Sequence, residues 1–144
     1  LTGTHAMWQQ PPRTHFEYCK QEPYIFIKSC VPMNNSGRAA HEALAYFKCT
    51  PQSMIVLHDD SDITLGSYKL HYGRGSAGHH GVESIMNELK TTSFWRYRIG
   101  IRDKDTTKKA GTFVLQSIQD EHKLLLMHTY EHLSKLLELS TILQ

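Results

Sequence analysis

The strongest constraint on the fold is a rhythm: short β-prone apolar runs recur along the chain, and between them apolar residues recur at helical spacing. Tyr24 to Val31 reads as a buried strand stopped by Pro32. Arg38 to Lys48 follows with Ala40, Ala43, Leu44 and Phe47 on one helical face, and Thr50-Pro51 closes that helix. Met54 to Leu57 is a second strand, running directly into His58-Asp59-Asp60, and Ser67 to Tyr72 alternates as a third. A glycine-rich loop, Gly73 to Gly81, precedes a helix with Val82, Ile85, Met86 and Leu89 on one face, and Trp95 to Ile101 reads as a further strand. Thr112 to Leu115 fits a short strand or a loop packed on the core. From Asp120 to the end runs one helix striped by Leu125, Leu126, Leu133, Leu136 and Leu137. Strands alternating with helices favour an α/β layer fold with helices on both faces of the sheet. Without repeats, low-complexity segments or a linker, residues 1–144 read as a single domain, whose first 23 residues are interrupted by Pro11, Pro12 and Pro23 and show no clear period.

Composition excludes several classes. Hydrophobic residues make up 40% and charged residues 21%, which suits a globular protein and not a disordered or fibrous one. Sixteen Lys+Arg against fourteen Asp+Glu give a net charge of +2, so any nucleic-acid reading rests on local clustering. The cysteines, Cys19, Cys30 and Cys49, lack zinc-knuckle or redox spacing and read as free thiols of a reducing compartment. There is no long apolar run, and the first twelve residues lack a basic-then-apolar leader pattern; a cytoplasmic protein is the expectation.

Three segments carry candidate chemistry. His58-Asp59-Asp60-Ser61-Asp62 stands at the end of an apolar strand, where α/β sheets present side chains to their crevice. An Asp there can orient a histidine or ligate a metal; the competing reading is an acidic turn. Gly73-Arg74-Gly75-Ser76-Ala77-Gly78-His79-His80-Gly81 precedes a helix, where close backbone approach and a helix amino terminus suit a phosphate; the alternative is a tight loop, and the Lys-Ser/Thr of a P-loop is lacking. Met33-Asn34-Asn35-Ser36-Gly37 offers a strand-to-helix turn with capping chemistry. Lys69, His71, Arg74, Arg96, Arg98 and Arg102 interleave with Tyr68, Tyr72, Phe94, Trp95 and Tyr97, a pattern fit for a phosphate backbone or, equally, for strands with one wet and one apolar face.

Taken together and in order, these segments resemble the bacterial-type peptidyl-tRNA hydrolases. Met33 to Ala39 is similar to that family's Met-Asn-x-Ser-Gly-x-Ala motif, and His58 to Gly66 to its His-Asp-(Glu/Asp)-x-Asp-x-x-x-Gly motif. Gly75 to Ile85 resembles its Gly-His-Asn-Gly loop and following helix, Arg96 to Ile101 its Arg-x-Arg-Ile-Gly-Ile strand, and Val114-Leu115 the pair before its last helix. The resemblance covers Tyr24 to Leu139 and implies a single domain with a mixed, mostly parallel sheet. It implies a cofactor-free and metal-free esterase that cleaves the bond between peptide and tRNA, contacts the acceptor stem and CCA end, and acts as a monomer. By match of position, Asp59 would hold the general-base histidine. Met33, Asn34, Gly78, His79 and His80 would contact substrate, and Lys69, His71, Arg74 and Arg98 would contact tRNA.

Two departures stand out. His80 occupies the place of the family's asparagine, and histidine differs from it in shape and charge. The family's opening Gly-Leu-Gly-Asn-Pro-Gly and Thr-Arg-His-Asn are not found; Thr4-His5-Ala6-Met7 is the one fragment that could be a remnant, with His5 as base, so residues 1–23 read as divergent or truncated. Two other functions compete: an RNA-binding relative that has lost the base, and a metal-dependent hydrolase using His58, Asp59, Asp62 and the His79-His80 pair.

Overall fold

A computed structural model describes residues 7–102 and 120–142. By internal contacts the chain divides into two compact units: Leu1–Val56 with Tyr72–Trp95, and Leu57–His71 with Arg96–Gln144.

The first unit opens with a hairpin. Strand β1 (Phe16–Gln21) pairs antiparallel with β2 (Tyr24–Ser29), in a register from Phe16 opposite Ser29 to Gln21 opposite Tyr24. Strand β1 lies in the segment that reads as aperiodic, because its buried positions, Phe16 and Cys19, are three apart instead of two. A short 3-10 turn, Met33–Asn35, leads into α1 (Ser36–Phe47). Phe16, Ala39 and Ala43 form one buried cluster with Tyr18, Val31 and Phe47 against it, and Tyr18 meets Phe47 edge-on at 5.1 Å. Glu42 on α1 ties down the start of β1: its Oε2 accepts from the His15 amide at 2.7 Å, its Oε1 lies 2.9 Å from His15 Nδ1, and Arg38 Nε donates to the same Oε1 at 3.2 Å. Burial pushes the Glu42 carboxyl up, but these bonds outweigh it and hold it below the usual carboxylate range.

The second helix of this unit is α2 (His80–Leu89), whose Val82 and Ile85 pack with Phe94, Ala40, Met54, Val56, Met86 and Leu89, much as the helical spacing predicts. Gly37 lets α1 approach α2. Its amide donates to Ser84 Oγ at 3.0 Å, and a Cβ there would meet the Ser84 carbonyl oxygen and come within 2.7 Å of Glu88 Cβ. Both helices stop on a lysine in the left-handed region, Lys48 at φ 54° and Lys90 at φ 53°; after α1, Cys49 N donates back to Leu44 O at 2.9 Å.

Most of the second sheet lies in the second unit. Its order is β3 (Ile55–Thr64), β5 (Trp95–Arg102), β4 (Tyr68–Tyr72). Trp95 N donates to Met54 O and Leu65 N to Arg102 O, so β3 and β5 run parallel; Gly73 N bonds Phe94 O and Gly100 N bonds Ser67 O, so β4 is antiparallel to β5. Helix α3 (Asp120–Ile142) packs Leu133, Leu126, Leu136 and Leu137 on Tyr97, Ile99 and Tyr68. Tyr68 and Tyr97 stack at 4.9 Å, Tyr68 Oη lies 2.8 Å from His132 Nε2, and Tyr97 Oη donates to Thr129 O at 3.0 Å. Burial pushes the Tyr97 phenol up to about 12, with the Tyr68 phenol adding to the shift. The expected strand at Thr112 to Leu115 lies outside the described residues. Among the described residues no helix is long and apolar enough to cross a membrane.

Gly37→Ala is expected to destabilise the chain by about 1–3 kcal/mol, since backbone stands where the methyl would go. Denaturant unfolding of the two proteins measures it; equal midpoints would mean that α1 can shift without cost.

Candidate active site

In the second unit the acidic segment departs from expectation. His58 to Asp62 was expected at the end of a short strand, with an acidic turn as the competing reading; instead β3 runs straight through it to Thr64. Two physical reasons account for this. The apolar pattern resumes at buried Ile63, and the charge is met from the neighbouring strand, where Arg98 Nε donates to Asp60 Oδ2 at 2.7 Å. The pair is well covered, with side-chain exposures of 14% and 9%. Burial pushes the Asp60 carboxyl up, but the Arg98 hydrogen bond, the Asp62 amide on Oδ1 at 2.9 Å, and the charges of Arg98 and His58 prevail, so its pKa lies below the ordinary value.

Asp59 is half-buried beside this pair. Its carbonyl accepts from His58 Nδ1 at 2.7 Å, which fixes the proton of that buried ring on Nδ1. Lys69 is exposed on β4, and His71, two residues on, turns to the same face. Arg98 also reaches His71: its NH1 donates to Nδ1 at 3.4 Å. Arg98 therefore joins Asp60 and His71 in one network, with its charge spent inside the unit. Asp60 is the residue the sequence reading passed over; its place two before Asp62 and two after His58, on one face of a strand, was the available signal.

In the first unit the remaining candidates fall on two segments. Met33 and Asn34 are exposed in the 3-10 turn. In this segment, read for its capping chemistry, Asn35 makes no side-chain cap bond to α1, and Ser36 Oγ donates back to Met33 O at 2.8 Å. The cap chemistry appears instead at α2, where His79 Nδ1 accepts from Gly81 N and Val82 N. Upstream, the loop is built from left-handed residues: Gly73 and Gly78, as glycine permits, and also Arg74 (φ 73°) and Ala77 (φ 52°). His80 is the first residue of α2, exposed, with its Nδ1 3.6 Å from Glu83 Oε2. The Met33 side chain lies over Gly81 beside the His79 ring. The structure thus brings Met33 and His79 together in one unit, and Asp60, Arg98 and His71 together in the other. His5 lies outside the described residues. Among the described residues no three His, Cys, Asp or Glu side chains cluster closely enough to hold a metal ion.

The fold has close parallels. Against the crystal structure of peptidyl-tRNA hydrolase from Acinetobacter baumannii the TM-score is 0.69 at 22% identity, over 83% of this chain and 63% of that one. The α/β architecture is therefore that of a peptidyl-tRNA hydrolase-like fold. The sequence model of the family described as "Peptidyl-tRNA hydrolase" matches residues 4–143, and the chain belongs to that family. Its similar curated relatives include the peptidyl-tRNA hydrolase of Mycoplasma capricolum, 33% identical over 111 residues (77% of this chain, 60% of the relative). That of a Hydrogenobaculum species is 34% identical over 118 residues (82% and 63%). The chain thus spans somewhat under two thirds of the length of these relatives.

Because the Asp60 pKa is lowered on folding, its contribution to stability is present above the unfolded carboxylate pKa and is lost as pH falls through the folded value. Asp60→Asn is expected to cost about 2–4 kcal/mol near neutral pH, with Arg98 left without its carboxylate, and to flatten the loss of stability below about pH 4. Unfolding midpoints across pH test this; parallel curves for the two proteins would refute it.

Proposed function

We propose that the chain carries the activity of its family: hydrolysis of the ester joining a peptide to the 3′ end of tRNA, which returns tRNA to translation in the cytoplasm. The supporting observation is the family match over residues 4–143, which spans every residue assigned a role here. Asp59 is assigned the orienting carboxylate for a general-base histidine, with His5 the candidate ring. A carboxylate beside an imidazole fixes its tautomer and stabilises the imidazolium formed when water gives up its proton. Met33, Asn34, Gly78, His79 and His80 are assigned to the peptide and terminal nucleotide: the amides and imidazoles donate to carbonyl oxygens, and Met33 supplies an apolar wall.

For the tRNA phosphates, exposed Lys69 and Arg74 are assigned direct contact. Arg98, paired to Asp60, is assigned support of His71 instead of a first grip on phosphate. The substrate is the acceptor stem and CCA end of peptidyl-tRNA, read by a monomer without metal or cofactor.

Turnover of a model peptidyl-tRNA in excess chelator tests the reading, and its absence in the wild-type chain would overturn it. Asp59→Asn is expected to lower turnover by about 10²–10⁴-fold with an almost unchanged melting temperature; wild-type turnover in that variant would remove Asp59 from the mechanism. Lys69→Ala is expected to weaken tRNA binding and lower the slope of log affinity against log salt by about one, and titrations at several salt concentrations measure that slope.

A further inference from the structure

Tyr72 and Trp95 form a pair that the roles assigned so far leave unused. Both belong to the first unit, Tyr72 as the last residue of β4 and Trp95 as the first of β5. Gly73 N donates to Phe94 O at 3.1 Å, and in that antiparallel register Tyr72 stands opposite Trp95. Their ring centroids lie 5.1 Å apart with the planes at 60°. The rings touch, so no third ring fits between them, yet each keeps much of its surface in water: Tyr72 is 44% exposed and Trp95 39%. Their neighbours Phe94 and Tyr97 are buried, at 1% and 0%. One exposed aromatic residue is ordinary on a protein surface; two in contact hold a flat apolar area that gains from being covered.

The charges around the pair select its occupant. Neither residues 72–82 nor residues 89–95 include an Asp or Glu. The carboxylates that border these stretches, Glu83 and Glu88, face His80 at 3.6 Å and His41 at 3.2 Å. Arg74 is exposed two residues beyond Tyr72, held between Gly73 and Gly75 in the left-handed region at φ 73°. Open aromatic faces beside a cation, with no anion among them, suit a nucleobase and its phosphate. Every base has a face to stack, and protein rings take the bases that a duplex leaves unpaired. We propose that Tyr72 and Trp95 are a stacking platform for one unpaired base of an RNA strand, with Arg74 meeting the adjoining phosphate. The base lies on an outer ring face, since the gap between the rings is closed. The stack itself requires only RNA; that the base belongs to the unpaired 3′ end of tRNA rests on the hydrolase reading.

Two RNA probes without any ester test this on the full chain: a minihelix with a single-stranded ACCA 3′ tail, and the same duplex with a blunt end. The chain has two tryptophans, so in a Trp8→Phe background the emission is that of Trp95. The tailed probe is expected to quench it; unchanged emission, or no binding of that probe, overturns the proposal. Trp95→Ala is expected to weaken binding of the tailed probe about tenfold with the salt slope unchanged, and Trp95→Phe to recover most of that loss. The blunt probe is expected to bind all three proteins alike. Arg74→Ala, in contrast, is expected to lower the slope for the tailed probe by about one. Equal weakening of both probes by Trp95→Ala would show that the indole only supports the fold, and the platform would fall. It would fall equally if sedimentation showed copies of the chain joined through this face, parted by Trp95→Ala with RNA binding intact. A chain that binds the tail through Trp95 yet leaves peptidyl-tRNA uncleaved loses the hydrolase reading and keeps the platform; turnover with a tail indifferent to Trp95 does the reverse.

Discussion

The covered ion pair between Arg98 and Asp60 decides what the second unit can be. A strand holding His58, Asp59, Asp60 and Asp62 within five residues repels itself unless a cation answers from the side. Arg98 answers from β5 with a 2.7 Å bond, and β3 continues as a strand for ten residues instead of breaking into a turn. That continuity holds Asp59 within regular backbone, so the side chain proposed to steer the catalytic histidine sits on a rigid element. The same guanidinium reaches His71, so one cation orders side chains from all three strands of the sheet.

The pair also reshapes the reading of the basic patch. A count of lysines and arginines treats each as available to phosphate, yet Arg98 is mostly covered and already neutralised. Exposure separates Lys69 and Arg74 from it. Charge clustering in a sequence is thus an upper bound on an electrostatic footprint, since carboxylates arriving from elsewhere in the fold subtract from it.

Much of this was legible beforehand. Helices α1 and α2 carry apolar residues at clear helical spacing, and the structure buries Ala43, Val82 and Ile85 on those faces. Strands β2, β4 and β5 fall within a residue or two of where alternation and β-branched content put them. What failed was non-local. The strand was expected to end before the acidic run, because the cation that carries it onward is 38 residues away along the chain. Strand β1 was hidden because its inward residues break the two-residue period, and it is held by pairing with β2 and by Glu42. Capping chemistry was read before α1, where Asn35 makes no cap bond, whereas α2 is capped by His79, a residue that no capping preference would nominate. The family motifs named segments, while the geometry of each came only from contacts made in the fold.

Lys48 and Lys90 leave an unspent margin. An L-residue held at positive φ carries a local penalty that glycine would not. Two helix ends in the same unit carry it, and each halts its helix sharply where the next segment must begin. Such a molecule keeps its element boundaries at some expense of robustness. A lineage or an engineer wanting a hardier version has two places to find it without touching any residue given a role in the chemistry.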